Sequence, residues 1–287
     1  MILKQTIDLK LFVLICVALL FLSANSILAR MAIVTQNIDA FTFTFLRIIS
    51  GSILLFIIYF YRKKRVDISL KKNWISGFML FLYAICFSYS YINMLAGIGT
   101  LILFAVVQLS MILIALFYKE KMSLNKIIGI FVAFIGLVYL LYPKEDFTIS
   151  YFHTFLMVIS GIAWGVYSLL GKSSTSAIFN TTDNFFKASI FTLIFMLMFI
   201  SEVHLDLYTF CLAITSGAIT SALGYLLWYE ILPKIEIITA SVLQLLVPII
   251  AIFLSILFLD ESLTFELIVS TILILVGIFI ALKRKRV

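Results

Sequence analysis

A cation inside an apolar stretch is the first place to look for chemistry in this chain. Arg47 lies about two helical turns into the hydrophobic stretch 41–61. Holding a charged side chain at such a place costs at least about 2.5–3.5 kcal/mol on insertion scales, so it needs a partner or a watery neighbourhood. One reading is a contact for an anion or carboxylate near an outer vestibule. The other is an ion pair with an acid such as Asp39, or a side chain that snorkels to the interface. Lys187 stands near the inner end of stretch 185–200, where snorkelling is the simpler reading.

Hydrogen-bonding groups gather in particular stretches. Asn25 lies in 11–29, Tyr83 and Ser90 in 74–94, Gln108 in 101–118, Trp164 and Tyr167 in 151–170, Tyr225 in 208–231 and Gln244 in 237–259. In an apolar medium such groups belong where they find partners. With Arg47 they are the candidate substrate-binding residues. Tyr83, Phe87 and Ser90 share one face at helical spacing, as do Ser221, Tyr225 and Trp228. A pocket of Tyr, Trp, Asn and Gln suits an amphipathic solute with an apolar body and a few polar groups. Trp74, Tyr91 and Trp228, near stretch ends, read instead as interfacial belt residues.

Other chemistry finds little support. There is no paired Asp inside a stretch, no His deeper than His153 at the start of 151–170 and no G-x-S-x-G, so no catalytic residue is assigned. His153 and His204 lack ligand spacing, and no metal or cofactor is assigned. Cys16, Cys86 and Cys211 fall within apolar stretches and read as packing residues.

The elements that must position these groups are membrane helices. The 287 residues are 64% hydrophobic and 12% charged, with a mean hydropathy of +1.20. Soluble domains are nearer about 45–50% apolar and about 25% charged. Ten spans are expected, at 11–29, 41–61, 74–94, 101–118, 127–142, 151–170, 185–200, 208–231, 237–259 and 265–282. The first follows Lys4 and Lys10 as a signal peptide would, but its run is long enough to span, and it reads as a retained helix. With both termini cytoplasmic, only Arg30, Arg47 and Lys144 of the 21 Lys and Arg residues fall outside. The +7 charge therefore reads as a topology signal and not as nucleic-acid binding. No Asp or Glu stands at mid-depth, Glu230 being nearest. Proton-driven carriers generally titrate an embedded carboxylate or His, so a facilitator, or coupling that uses no intramembrane acid, is expected, and a strongly charged solute is not.

The two halves of the chain resemble each other. An offset of 141 residues puts Glu120 on Glu261, Ser123 on Thr264 and Gly136 on Gly277; similar offsets bring Arg30 near Lys172 and Arg47 near Lys187. Each half, residues 1–146 and 147–287, holds five spans. Five is odd, so the second copy inserts upside down. The expected fold is an all-α polytopic membrane protein of two inverted five-helix repeats, the usual frame of an alternating-access carrier. Spans five and ten, almost purely aliphatic, read as lipid-facing scaffold. Pro248 should interrupt span nine.

Several segments carry a family resemblance: YKEKMS and FLDESLT at the ends of the fourth spans, FLRIISG around Arg47, AWGVYSLLGK at 163–172, YLLWYEILPKIEIITAS at 225–241, and LLVPIIAIFLS around Pro248. In this order and spacing the chain resembles the ten-span EamA-type permeases of the drug/metabolite transporter superfamily. It departs from them at Leu22–Ser23, where a Trp-Gly pair is common, and at Val107, where a Pro matching Pro248 would stand. The resemblance implies a multi-pass permease of the cell inner membrane that exports or equilibrates small metabolites, amino acids and their derivatives being common. The partners expected are a small-molecule substrate and membrane lipid. A lipid or lipid-precursor flippase of the same fold is the alternative; an intramembrane enzyme would need catalytic groups the spans do not contain.

Overall fold

The computed structural model describes residues 8–35, 37–64, 68–69, 71–117, 123–141, 150–199, 205–260 and 265–282. Residues 118–122 and 261–264, which carry part of the resemblance, lie outside them, as do both chain ends, Lys144 and His204. Every described regular element is a helix. The first half is α1 (Leu9–Val34), α2 (Ala40–Lys63), α3 (Trp74–Ser90), α4 (Ala96–Phe117) and α5 (Leu124–Leu141). The second begins with α6 (Tyr151–Lys172) and α7 (Ala177–Phe199). Its third span is built of α8 (Leu207–Ile214), a π-helical segment (Thr215–Leu223) and α9 (Gly224–Ile231). Its fourth is α10 (Ile237–Gln244) with α11 (Leu246–Leu259), and α12 (Phe265–Leu282) closes the fold.

Local sequence sets the helix starts. Asp8, Asp39 and Asp206 each precede a helix, and their carboxylates accept backbone N–H groups that the first turn leaves unpaired. At Asp206 the amide and hydroxyl of Thr209 hold the carboxyl below its ordinary range. Several helices begin before the limits read from hydropathy. In particular α7 begins well before residue 185, which draws Asp183 into the helix.

Six of the described helical runs are long and apolar enough to cross a membrane, and Trp74–Ser90, Leu124–Gly136 and Ile268–Ala281 are shorter apolar runs. The distribution of side chains is inside-out. Phe12, Leu20, Ile57, Leu113, Phe131 and Phe279 face outward, while Ser23, Asn25, Arg47, Gln108, Ser168 and Gln244 are buried. Lipid removes the reason to bury apolar surface, and polar groups instead gather where they can bond one another.

The packing repeats under exchange of the two halves. α3 lies on α6, and its counterpart span α8–α9 lies on α1. α4 also packs on α6, as α11 packs on α1. α2 packs on the π segment, as α7 packs on α3. Other contacts pair an element with its own repeat counterpart. In α2 and α7, Phe41 meets Phe195 while Tyr59 meets Phe179, so the two run antiparallel. In α5 and α12, Gly129 approaches Gly277 and Ala281 while Gly136 approaches Ser270 and Leu273, again antiparallel. Equivalent helices pointing opposite ways are what an inverted duplication produces. The α5–α12 pair presents Phe131, Ile135, Ile272 and Phe279 outward, consistent with a scaffold position.

Pro248 interrupts span nine as expected, but the break falls upstream, at Leu245 between α10 and α11. The proline ring clashes with the carbonyl of the residue four before it, here Gln244. Leu245 N–H turns back to the carbonyl of Val242 instead.

Candidate functional site

Arg47 is the centre of the buried polar structure. α2 carries it inward, and its surroundings come from α3 and from the π segment with α9. Gly217 makes this approach possible: a Cβ there would stand 2.0 Å from Ser50 Oγ and 2.2 Å from the carbonyl oxygen of Arg47. The π segment therefore lies directly on the α2 backbone, which brings Ser221 and Tyr225 to the guanidinium. π-helical insertions are rare and gather at functional sites.

The guanidinium is fully buried. Its Nε donates to Ser221 Oγ at 2.8 Å; its Nη2 donates to Tyr225 Oη at 2.5 Å and to Tyr83 Oη at 3.2 Å. The two phenols also touch, Tyr225 donating to Tyr83 at 3.2 Å. The cation lies over the rings of Phe87, at 5.0 Å, and Tyr83, at 5.4 Å. Among the described residues no acid bonds it. Hydrogen bonds to a charged group are worth about 1.5–3 kcal/mol each and a desolvated cation–π contact about 2 kcal/mol. Neutral partners can therefore offset an insertion cost of the size given above. The third nitrogen, Nη1, makes no hydrogen bond.

Ser221 passes the network to α1. Its hydroxyl donates to Asn25 Oδ1, which also accepts from Ser216 and Thr220. Asn25 Nδ2 is buried with no hydrogen-bond partner. On the other side an aromatic column begins. Trp164 packs against Tyr83 and Tyr225, with ring centroids at 4.9 and 4.7 Å, and Tyr167 stands between Trp164 and Tyr229. Trp164 Nε1 donates to Gln244 Oε1 at 2.7 Å. Six helices thus contribute to one polar and aromatic cluster: α1, α2, α3, α6, the span containing the π segment, and α10.

Seven of the candidate residues meet in this cluster: Asn25, Arg47, Tyr83, Trp164, Tyr167, Tyr225 and Gln244. Ser90 does not; its hydroxyl turns back to the carbonyl of Cys86 in its own helix. Gln108 is buried on α4, and neither its Oε1 nor its Nε2 forms a hydrogen bond. The reading that paired Arg47 with Asp39 is corrected, since Asp39 caps α2 and the guanidinium bonds hydroxyls. Lys187 does not snorkel. It is 1% exposed, bonds Asp183 at 2.5 Å and lies 5.5 Å from the Trp74 ring. The carboxylate of Asp183 also receives Asn73 Nδ2 and Ser69 N–H. Asp183 escapes a reading by hydropathy, which starts this span at residue 185, whereas α7 begins at Ala177. Trp228 and Tyr91 leave the interfacial belt as well: both are fully buried, bonded to Ser168 and Thr100 respectively. Ser221 and Phe87 were on the right helical faces, but only the fold shows that they meet Arg47.

The arrangement places a cation that no described acid bonds, buried polar atoms without partners and a column of aromatic rings at the junction of the two halves. It can hold an acceptor group against Arg47 and an apolar body against Trp164 and Tyr167. Comparison with known proteins agrees with a membrane carrier frame. The model of one family, described as EamA-like transporter family, matches residues 9–142 and again 152–283. An uncharacterized protein of Pseudomonas aeruginosa is 34% identical over 278 residues, covering 97% of this chain and 96% of its own. An uncharacterized transporter of Archaeoglobus fulgidus is 28% identical over 66% of this chain and 69% of its own. The uncharacterized transporter YoaV of Bacillus subtilis is 22% identical over 85% and 87%. A solved crystal structure superposes with a TM-score of 0.76 at 15% identity, over 95% of this chain and 96% of its own, a likeness of fold alone.

Proposed function

Because this chain belongs to the EamA-like transporter family, we propose that it is a secondary transporter of a small amphipathic metabolite bearing a carboxylate, an amino acid or a derivative. The solute binds between the halves, residues 1–146 and 147–287. These rock about the site and open it alternately to each face of the cell inner membrane, with both termini in the cytoplasm. Export or facilitated diffusion fits a bundle in which Asp183 and Lys187 neutralise each other and no other embedded acid is found among the described residues.

The observation that carries this reading is Arg47: a buried cation whose described partners are all neutral and which keeps one nitrogen unbonded. A carboxylate is acceptor-only and suits such a donor. Trp164, Tyr167 and Tyr225 supply apolar contact for the rest of the solute, and Asn25 and Gln244 fix the ends of the network.

The test is counterflow in proteoliposomes with labelled amino acids and related acids. Arg47→Gln should slow exchange of carboxylate-bearing solutes by about tenfold or more, the size of one lost charge-assisted bond, and should spare neutral analogues. An equal loss for every solute would make Arg47 structural and remove the reading. Movement of lipid analogues alone would favour a flippase.

A further inference from the structure

We infer that the pocket selects monoanionic carboxylic acids, with no ammonium group beside the carboxylate, over the zwitterionic amino acids of the same shape. This rests on the carrier reading of that pocket and narrows its substrate class from amino acids and their derivatives to the derivatives that lack the ammonium.

The inference follows from charge and from donor–acceptor bookkeeping. Arg47 gives the cluster one positive charge. Among the described residues no acid bonds Arg47, Tyr83, Tyr225, Ser221, Asn25, Trp164 or Gln244. The embedded acid on α7, Asp183, is already neutralised by Lys187. A monoanion brings the site to neutrality. A zwitterion leaves it at plus one, with its ammonium a bond or two from the carboxylate and therefore close to the guanidinium. In a low-dielectric site that proximity is heavily penalised.

Hydrogen bonding points the same way. Beside the guanidinium the groups without partners are donors: Arg47 Nη1 and Asn25 Nδ2, joined through Ser221. The acceptors nearby are occupied. Asn25 Oδ1 takes three hydroxyls, Gln244 Oε1 takes Trp164, and both phenol oxygens take Arg47. Gln108 Oε1 on α4, Tyr167 Oη on α6 and Asn184 Oδ1 on α7 are unbonded, but neutral groups cannot supply the missing charge. An ammonium has three donors and no acceptor, so it would find no anionic partner among the described residues of this cluster and no use for its free donors. Nor is a cation–π seat free at this point, since the faces of Tyr83 and Phe87 already hold the guanidinium.

Matched ligands decide it. Phenylalanine and 3-phenyllactate differ only by ammonium against hydroxyl, as do leucine and 2-hydroxyisocaproate; 2-phenylethylamine keeps the ammonium and lacks the acid. Binding to the purified protein in nanodiscs is read by intrinsic fluorescence, and exchange by counterflow. We expect each hydroxy acid to bind about tenfold or more tightly than its amino acid, the amine to bind weakest, and Arg47→Gln to erase the difference. The comparison on the unaltered protein does not depend on any variant folding. Amino acids binding as tightly as the hydroxy acids would overturn this inference and leave the carrier reading standing. Tight binding without counterflow would overturn the carrier reading. Binding of none of the five would overturn both.

Discussion

Lys187 and Arg47 answer to each other in the duplicated sequence, yet they meet opposite electrostatic solutions. Arg47 is held by hydroxyls and ring faces, Lys187 by the carboxylate of Asp183 in a pair that is 1% and 0% exposed. Removing one member of a buried pair strands the other charge and costs about 3–5 kcal/mol, whereas removing both is often near neutral. Lys187→Met and Asp183→Asn should therefore each lower the thermal midpoint in detergent by several degrees, and the double variant should regain most of the loss. Additive losses would show that the two do not act as a pair. At this scale the sequence was partly legible. Polar side chains inside apolar stretches marked Asn25, Tyr83, Trp164, Tyr225 and Gln244 for interior positions. Their partners were not legible, because the Arg47–Ser221 bond spans 174 residues of chain.

Among the elements, the π segment Thr215–Leu223 sets the site. Gly77 on α3 approaches the Cβ of Lys187 as Gly217 approaches the backbone of Arg47. Six residues separate Gly77 from Tyr83, while eight separate Gly217 from Tyr225. The wider turns of the π segment take up the two extra residues, so the phenols still meet at 3.2 Å. Hydropathy saw one apolar span here. Its period could not reveal the insertion, because nothing in the residue types announces an i→i+5 turn. Gly217→Ala should be costly, since the new methyl meets a backbone carbonyl that cannot move aside. Overpacking of this kind costs about 1–3 kcal/mol. Gly165→Ala is the control: its Cβ meets Ser110 Cβ at 3.0 Å and no backbone atom closer than 3.6 Å. A thermal midpoint that falls clearly for Gly217→Ala and little for Gly165→Ala is the expected outcome. Equal shifts would deny the close approach its role.

For the molecule as a whole, the antiparallel pairs α2 with α7 and α5 with α12 show one bundle used twice with opposite polarity. That much was legible beforehand, because an odd number of spans per repeat leaves no other arrangement. What the duplication encloses is asymmetric: an arginine unpaired by any described acid on one side, a neutral Lys–Asp pair on the other. The central claim is that both faces of the membrane reach the Arg47 cluster in turn. The direct measurement replaces Cys16, Cys86 and Cys211, introduces Ser221→Cys, and treats sealed vesicles of each orientation with a membrane-impermeant thiol reagent. The account predicts labelling from either side, slowed by a transported carboxylate. Labelling from one side only, or labelling indifferent to solute, would contradict it.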